Sequence, residues 1–297
     1  SRNGHFEGVN STFVGSNKGL AKVSKNETHS TAWTWENTLT YSRDFGIHSL
    51  TALVGHSMSK NSYEDTYAEG KGLSFEQSLF HNLDGTQQDY VLSSSLTESS
   101  MLSYFARLNY KLLDKYLLTA TLRADASSRF SPDNRWGYFP SVAAAWRVNE
   151  EAFLSNFKAL SDLKLRLSYG QTGQQSIGSY YQHLPTYTAS YDESRYYFGD
   201  QWYTTYRPNG YDANIKWETT ETYNIGIDYG FLNNRISGTI DYYWRTTKDL
   251  LNKIFVPAGS NFTNMIETNI GNMKSKGLEI GINVIPVKNK DWEWTVS

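Results

Sequence analysis

The sequence predicts an all-β chain that forms part of a large antiparallel transmembrane β-barrel, with about ten strands present. Three observations predict it. Apolar and polar residues alternate with period two in segment after segment. Each run lasts about 11–14 residues, where ordinary soluble strands run about 5–6 and a tilted membrane-crossing strand needs roughly 9–11. The connections alternate between short turns and long polar loops, the asymmetry of membrane barrels.

Composition narrows the function classes first. The chain has 297 residues with 28 Lys and Arg against 30 Asp and Glu, so no basic field points to nucleic acid. Cysteine is absent, which excludes disulfides and thiolate metal sites. Mean hydropathy is −0.57, and apolar runs such as Val142 to Trp146 are far too short for a membrane helix. Yet aromatics make up 15%, with 22 Tyr and 9 Trp. Such a polar chain carries that load where it meets a membrane–water interface, or where it binds sugars or peptides by stacking.

The strands follow in order. Leu102, Tyr104, Ala106, Leu108 and Tyr110 alternate with Ser103, Phe105, Arg107, Asn109 and Lys111. After a turn at Leu113-Asp114-Lys115, Tyr116, Leu118, Ala120, Leu122 and Ala124 alternate with Thr119, Thr121, Arg123 and Asp125. Leu163, Leu165, Leu167 and Tyr169 alternate with Lys164, Arg166 and Ser168. Tyr223, Ile225, Ile227 and Tyr229 alternate with Thr222, Asn224, Gly226 and Asp228. Leu278, Ile280, Ile282 and Val284 alternate with Glu279, Gly281 and Asn283.

Further short turns are expected at Arg43-Asp44-Phe45, Leu232-Asn233-Asn234 and Lys288-Asn289-Lys290. Long polar loops are expected at about 61–100, 172–216 and 248–274, with a shorter one at Ser127–Trp136. Residues 1–30 are expected to be loop as well. At about 149–160, Phe153, Leu154, Phe157 and Leu160 suggest a brief amphipathic helix with Asn149 as N-cap.

Several separated motifs resemble one family. Leu163-Lys164-Leu165-Arg166-Leu167-Ser168-Tyr169-Gly170-Gln171-Thr172-Gly173 and the residues to Gly178 look like the signature of the SusC/RagA-type TonB-linked outer-membrane proteins of Bacteroidetes. Arg123-Ala124-Asp125, Ser128-Arg129-Phe130, Gly137-Tyr138-Phe139-Pro140-Ser141 and Ala145-Trp146-Arg147 precede it in matching order. Trp217-Glu218, Asn224-Ile225-Gly226-Ile227-Asp228-Tyr229, Asn269-Ile270-Gly271 and Lys276-Gly277-Leu278-Glu279 follow it. The resemblance runs from about Thr31 onward.

That resemblance implies a 22-stranded type of barrel in the Gram-negative outer membrane, with an N-terminal plug and a SusD-like surface lipoprotein over the mouth. It implies import of oligosaccharides, or of peptides in some members, with energy relayed by the TonB complex. The plug, the TonB-contacting N-terminal part and the closing strands are not in this sequence, so the chain is expected to be a barrel fragment, plug domain absent. Its long loops would then be extracellular, and the 149–160 element periplasmic. The remaining partner is outer-membrane lipid, and the chain is expected to be no enzyme.

The acid pairs Glu64-Asp65 and Asp192-Glu193 could serve glycoside hydrolysis only if held about 5–9.5 Å apart with one carboxyl protonated by burial. Adjacent loop acids read more simply as solvated charges, and no nucleophile elbow, Walker loop or dinucleotide fingerprint is present. His48 and His56 share a strand face but stand about 26 Å apart, too far to share a metal. No metal, cofactor or catalytic residue is assigned. Asn-x-Ser/Thr triplets at Asn10, Asn26 and Asn261 are incidental.

Aromatics crowd one loop: Tyr180, Tyr181, Tyr187, Tyr191, Tyr196, Tyr197, Trp202, Tyr203 and Tyr206, among Asp192, Glu193, Arg195 and Asp200. Tyr180, Tyr181, Tyr197, Trp202, Tyr203 and Tyr206 are the candidate substrate contacts, through stacking on sugar rings or peptide side chains. Packing of the loop, or docking of the capping lipoprotein, is the competing reading. Trp33, Trp35, Trp146, Trp244, Trp292 and Trp294 read as lipid-facing or interfacial. Arg107, Arg123, Asp125, Arg147, Lys164, Arg166, Asp228, Asp241 and Arg245 fall on the polar face, where structural ion pairs are expected.

Two readings from other classes remain: a surface carbohydrate-binding β-domain and a polysaccharide-degrading enzyme. The membrane-barrel reading requires apolar strand faces turned outward. A soluble β-domain requires them to meet in a closed core.

Overall fold

The computed structural model describes residues 1–12, 19–190 and 194–297. Tyr191, Asp192 and Glu193 lie outside the described residues.

Strands dominate. In chain order they are β1 (Arg2–Glu7), β2 (Lys22–Phe45), β3 (His48–Lys71), β4 (Gln88–Leu112), β5 (Tyr116–Ser127) and β6 (Trp136–Arg147). Then come β7 (Leu160–Gln174), β8 (Tyr187–Ala189), β9 (Tyr196–Phe198), β10 (Gln201–Tyr203), β11 (Tyr206–Pro208) and β12 (Glu218–Phe231). The last five are β13 (Ile236–Lys248), β14 (Leu251–Phe255), β15 (Met265–Asn269), β16 (Asn272–Lys288) and β17 (Glu293–Val296). Eleven of them form one sheet, ordered β1-β2-β3-β4-β5-β6-β7-β12-β13-β16-β17. The small strands pair two by two in the loops.

The chain divides into two compact units, Ser1–Thr34 with Ser59–Ser100, and Trp35–Met58 with Met101–Ser297. In the first, β1 pairs with the start of β2, from Arg2 opposite Glu27 to Glu7 opposite Lys22. Ala21, Val23 and Leu73 are buried there, with Phe6, Phe80 and Leu83 packed against them. Lys22 bridges to Glu69 at 3.0 Å. Residues 2–7 and 22–30 are therefore strand and not the expected loop, and the expected 61–100 loop contracts to 72–87. The reason is that both strand faces are polar here. Backbone pairing continues while the apolar alternation that reveals it disappears.

In the second unit the register is unbroken over long stretches. Leu118, Ala144, Leu167, Ile225, Tyr242 and Leu278 lie in one cross-strand row. Because directly opposed residues share a face, this row is apolar across six strands. Its members are exposed: Leu167 is 56% and Leu278 60% accessible. The opposite face holds the buried side chains instead, with Ser103 at 0% and Asp125 at 7%. A soluble sandwich shows the reverse.

Short turns join strands at one end. Leu113 and Asp114 adopt φ of 55° and 56°, and Asn233 and Asn234 φ of 57° and 58°. Asn and Asp tolerate that left-handed region through local hydrogen bonds. The first turn lies at Gly46-Ile47, slightly past the expected Arg43–Phe45, and Gly46 takes φ 64°.

The 149–160 segment is not one amphipathic helix. It forms two single 3-10 turns, Val148–Glu150 and Ala152–Leu154. Asn149 caps nothing, because its Oδ1 accepts the Leu163 N–H at 3.3 Å. Glu151 accepts from Tyr116 Oη at 2.7 Å, Trp146 Nε1 at 3.0 Å and Lys115 Nζ at 3.2 Å. Those bonds, Tyr116 first, hold its carboxyl below the usual carboxylate range.

Candidate functional site

The polar face carries the charge. Arg166 Nε donates to Asp228 at 2.9 Å and Nη2 to Asp241 at 2.9 Å, while Lys164 Nζ lies 2.6 Å from Asp228. Three neighbouring strands are thereby tied by side chains as well as backbone. Gly226 makes the room: a Cβ there would come 2.4 Å from Asp241 Oδ1 and 2.7 Å from Arg166 Nη2. Arg123 Nε reaches Asp125 at 2.8 Å, its Nη2 reaches Ser103 at 2.9 Å, and the guanidinium sits over the Phe105 ring. Arg147 pairs with Glu150, and Arg245 lies over Tyr243. This is structural neutralisation.

Where the long loops begin, a small apolar core forms from Phe130, Phe139, Ile177, Ile215 and Trp217. Trp217 packs on Phe130 and Phe139 with ring centroids 5.0 and 5.4 Å away, and its Nε1–H reaches the Arg135 carbonyl at 2.8 Å. The 175–217 and 249–271 loops are then stitched together. Asn269 bonds Lys216 through both its amide oxygen and nitrogen, and Thr268 donates to Asp212 at 2.6 Å.

From this base rises an arm. β8 pairs with β11 at its foot, and β9 with β10 at its tip. The tip turn uses Gly199 and Asp200, both with positive φ (57° and 60°), as a type I′ hairpin requires. Tyr197 and Trp202 oppose each other on one face, with ring centroids 4.9 Å apart. Tyr196 and Phe198 line the other face, together with Tyr203 opposite Tyr196. These rings are exposed, Trp202 at 63% and Tyr206 at 66%. An arm two strands wide buries neither face by itself.

The six candidate residues thus separate. Tyr197, Trp202, Tyr203 and Tyr206 belong to the exposed arm. Tyr180 and Tyr181 sit in its root, half-buried. The Arg129 guanidinium lies 4.0 Å from the centre of the Tyr180 ring, and the Arg129 carbonyl stands 3.2 Å from His183 Nδ1. Phe198 belongs with the arm and was missed, since a lone Phe among tyrosines carries no separate signal.

Asp65 accepts the Thr28 hydroxyl at 2.9 Å within a strand. His48 stands 2.7 Å from Tyr110 Oη, and His56 Nε2 stands 3.2 Å from Asn37 Nδ2. Among the described residues no group of three or more His, Cys, Asp and Glu could hold a metal ion.

Comparison with known proteins agrees with this geometry. Residues 2–297 match the family described as "TonB dependent receptor-like, beta-barrel". TonB-dependent receptor SusC of Bacteroides thetaiotaomicron is 43% identical over 257 residues, 86% of this chain and 25% of that protein. TonB-dependent receptor P26 of Formosa agariphila is 35% identical over 88% of this chain and 26% of its own length. The solved structure of the RagAB peptide transporter superposes with a TM-score of 0.80 at 28% identity, over 93% of this chain and 30% of that one. This chain spans about a quarter of the length of the curated relatives it matches.

Proposed function

The chain belongs to the TonB-dependent receptor-like β-barrel family, a family of receptors and transporters and not of enzymes, and from that premise we propose that it is a wall of an outer-membrane importer. The observation that carries this is the inverted sheet, with exposed Leu, Ile, Tyr and Trp on one face and a paired Arg–Asp network on the other. The exposed face suits lipid hydrocarbon, and the charged face suits a lumen occupied by a plug. The 72–87, 175–217 and 249–271 loops are extracellular in this reading, and the Leu113, Asn233 and 148–154 turns periplasmic.

Oligosaccharide is the proposed cargo, taken up with TonB energy and with a SusD-like lipoprotein over the mouth. The 43% identity to SusC supports that choice over the 28% identity to the RagAB transporter. Peptide is the second reading, supported by the close superposition on RagAB. Tyr197, Trp202, Tyr203 and Tyr206 are the proposed cargo contacts, since flat exposed rings bind sugar faces by stacking. Tyr180 and Tyr181 serve as their footing.

Deletion of the full-length gene, followed by growth on defined glycans and on peptides as sole carbon source, tests the assignment. Lost growth on one glycan, with peptide growth intact, is the expected result. A full-length protein that fractionates as soluble and monodisperse would sink the importer reading itself.

A further inference from the structure

The exposed apolar face is not uniform. On β6 Ala144 stands where its neighbours carry bulky residues, between Leu118 and Leu167 in the cross-strand row, while Ala143 and Ala145 lie opposite Ser168 and Arg166 on the other face. The missing volume leaves a groove of about 310 Å³ walled by Val142, Ala144, Leu167, Tyr223, Ile225 and Trp244. A second groove of about 390 Å³, reaching Tyr116 and Trp146, meets the first at Ala144 and Leu167. Together they make one apolar trough across the face, with an aromatic residue at each end.

At the Trp244 end, charge appears. Lys276 lies directly opposite Trp244 in register, and Lys274 opposite Thr246, so both share the groove's face. Among the described residues neither has an ion-pair partner. The other charges at this level are Lys248 and Glu221, and they neutralise each other at 2.7 Å. Two exposed lysines therefore stand unpaired at the rim, next to the Tyr169–Tyr223–Trp244 ring cluster. Cations just beyond an aromatic ledge attract anionic headgroups, and the trough below offers hydrocarbon to a tail.

We propose that this trough binds one phosphorylated membrane lipid, its acyl chain over Ala144 and its phosphate held by Lys274 and Lys276. The site rests on the membrane reading above, because only then does this face meet lipid. A soluble apolar ligand would leave the lysines unused, and free phosphate would leave the trough empty.

The test uses the full-length protein extracted from outer membranes in mild detergent, with retained lipid counted by native mass spectrometry. Wild type is expected to carry one phosphorylated lipid. K274Q/K276Q should retain about tenfold less, K274R/K276R should retain it, and A144W should lose it by filling the trough. Equal retention in K274Q/K276Q and wild type would overturn the proposal, as would displacement of the lipid by millimolar inorganic phosphate. Heat-modifiable gel migration, recorded for every variant, separates this outcome from a failure of the barrel: a wild type that is not heat-modifiable contradicts the membrane reading instead.

Discussion

The strand wall from β4 to β16 and the aromatic arm built from β8, β9, β10 and β11 are both antiparallel, and both leave aromatic side chains exposed. They differ in what holds them. Each strand of the wall has neighbours on both sides, and its polar face is cross-linked by Arg166, Asp228, Asp241, Arg123 and Asp125. The arm has two short strand pairs, a glycine turn and exposed rings on both faces. One region is stabilised by what it buries, while the other is anchored at its foot and keeps its rings exposed.

The largest effect should come from charging the wall's apolar face. Ile225→Arg is expected to destabilise the folded protein in lipid by about 2–4 kcal/mol, the cost of Arg near a bilayer midplane. Asn224→Lys, one residue away on the other face, should cost under about 1 kcal/mol. Urea unfolding in vesicles measures both, and equal costs would erase the distinction between the faces.

Breaking the inner network comes next. Arg166→Met leaves Asp228 and Asp241 without their shared partner, for a loss of about 1–3 kcal/mol. That lies below the figure for a fully buried pair, because Arg166 is a third exposed. Gly226→Val should fail at the same place by displacing the guanidinium. Adding Asp228→Asn and Asp241→Asn to Arg166→Met should recover part of the loss, and strict additivity would show that the network is not a unit.

Trp202→Ala should do the opposite of both. Stability should stay within about 0.5 kcal/mol, while half-saturation for cargo uptake rises about tenfold, the worth of one good stacking contact. If instead the variant is destabilised with uptake intact, the ring packs the arm and contacts no cargo.

The smallest effect belongs to Glu151. Its folded carboxyl is held below the usual range, so its contribution to stability is complete above the unfolded carboxylate pKa and is lost as pH falls through the lowered folded value. The difference between wild type and Glu151→Gln should therefore be constant from pH 6 to 8 and shrink below about pH 4. A difference that grows on acidification would reverse the assigned sign.

The two regions were not equally legible in the sequence. Leu163 to Tyr169 and Tyr223 to Tyr229 declare their strands because one face meets an apolar phase and the other does not. Where both faces carry polar residues, as from Ser24 to Ser30 and from Asn61 to Thr66, the same backbone ladder leaves no periodic trace, and the sequence suggests loop. The 148–154 turns eluded prediction for another reason. Phe153, Leu154 and Phe157 have helical spacing, but Asn149 and Glu151 are committed to Leu163, Tyr116 and Trp146. In the arm, composition identified the aromatic residues. It could not separate Tyr180, which lies against Arg129, from Trp202, which lies against solvent, because that difference arises only when the loop folds.

The central claim is that the sheet is inverted, with hydrocarbon outside and charge inside. This chain contains no cysteine, so single cysteines can be introduced and spin-labelled one at a time along β12, from Thr222 to Asp228, in a full-length protein otherwise free of reactive thiols. In reconstituted bilayers, labels at 223, 225 and 227 should relax with lipid-dissolved oxygen and resist an aqueous nickel complex. Labels at 222, 224, 226 and 228 should be shielded from oxygen. Alternation of the opposite phase, or none at all, would contradict the account.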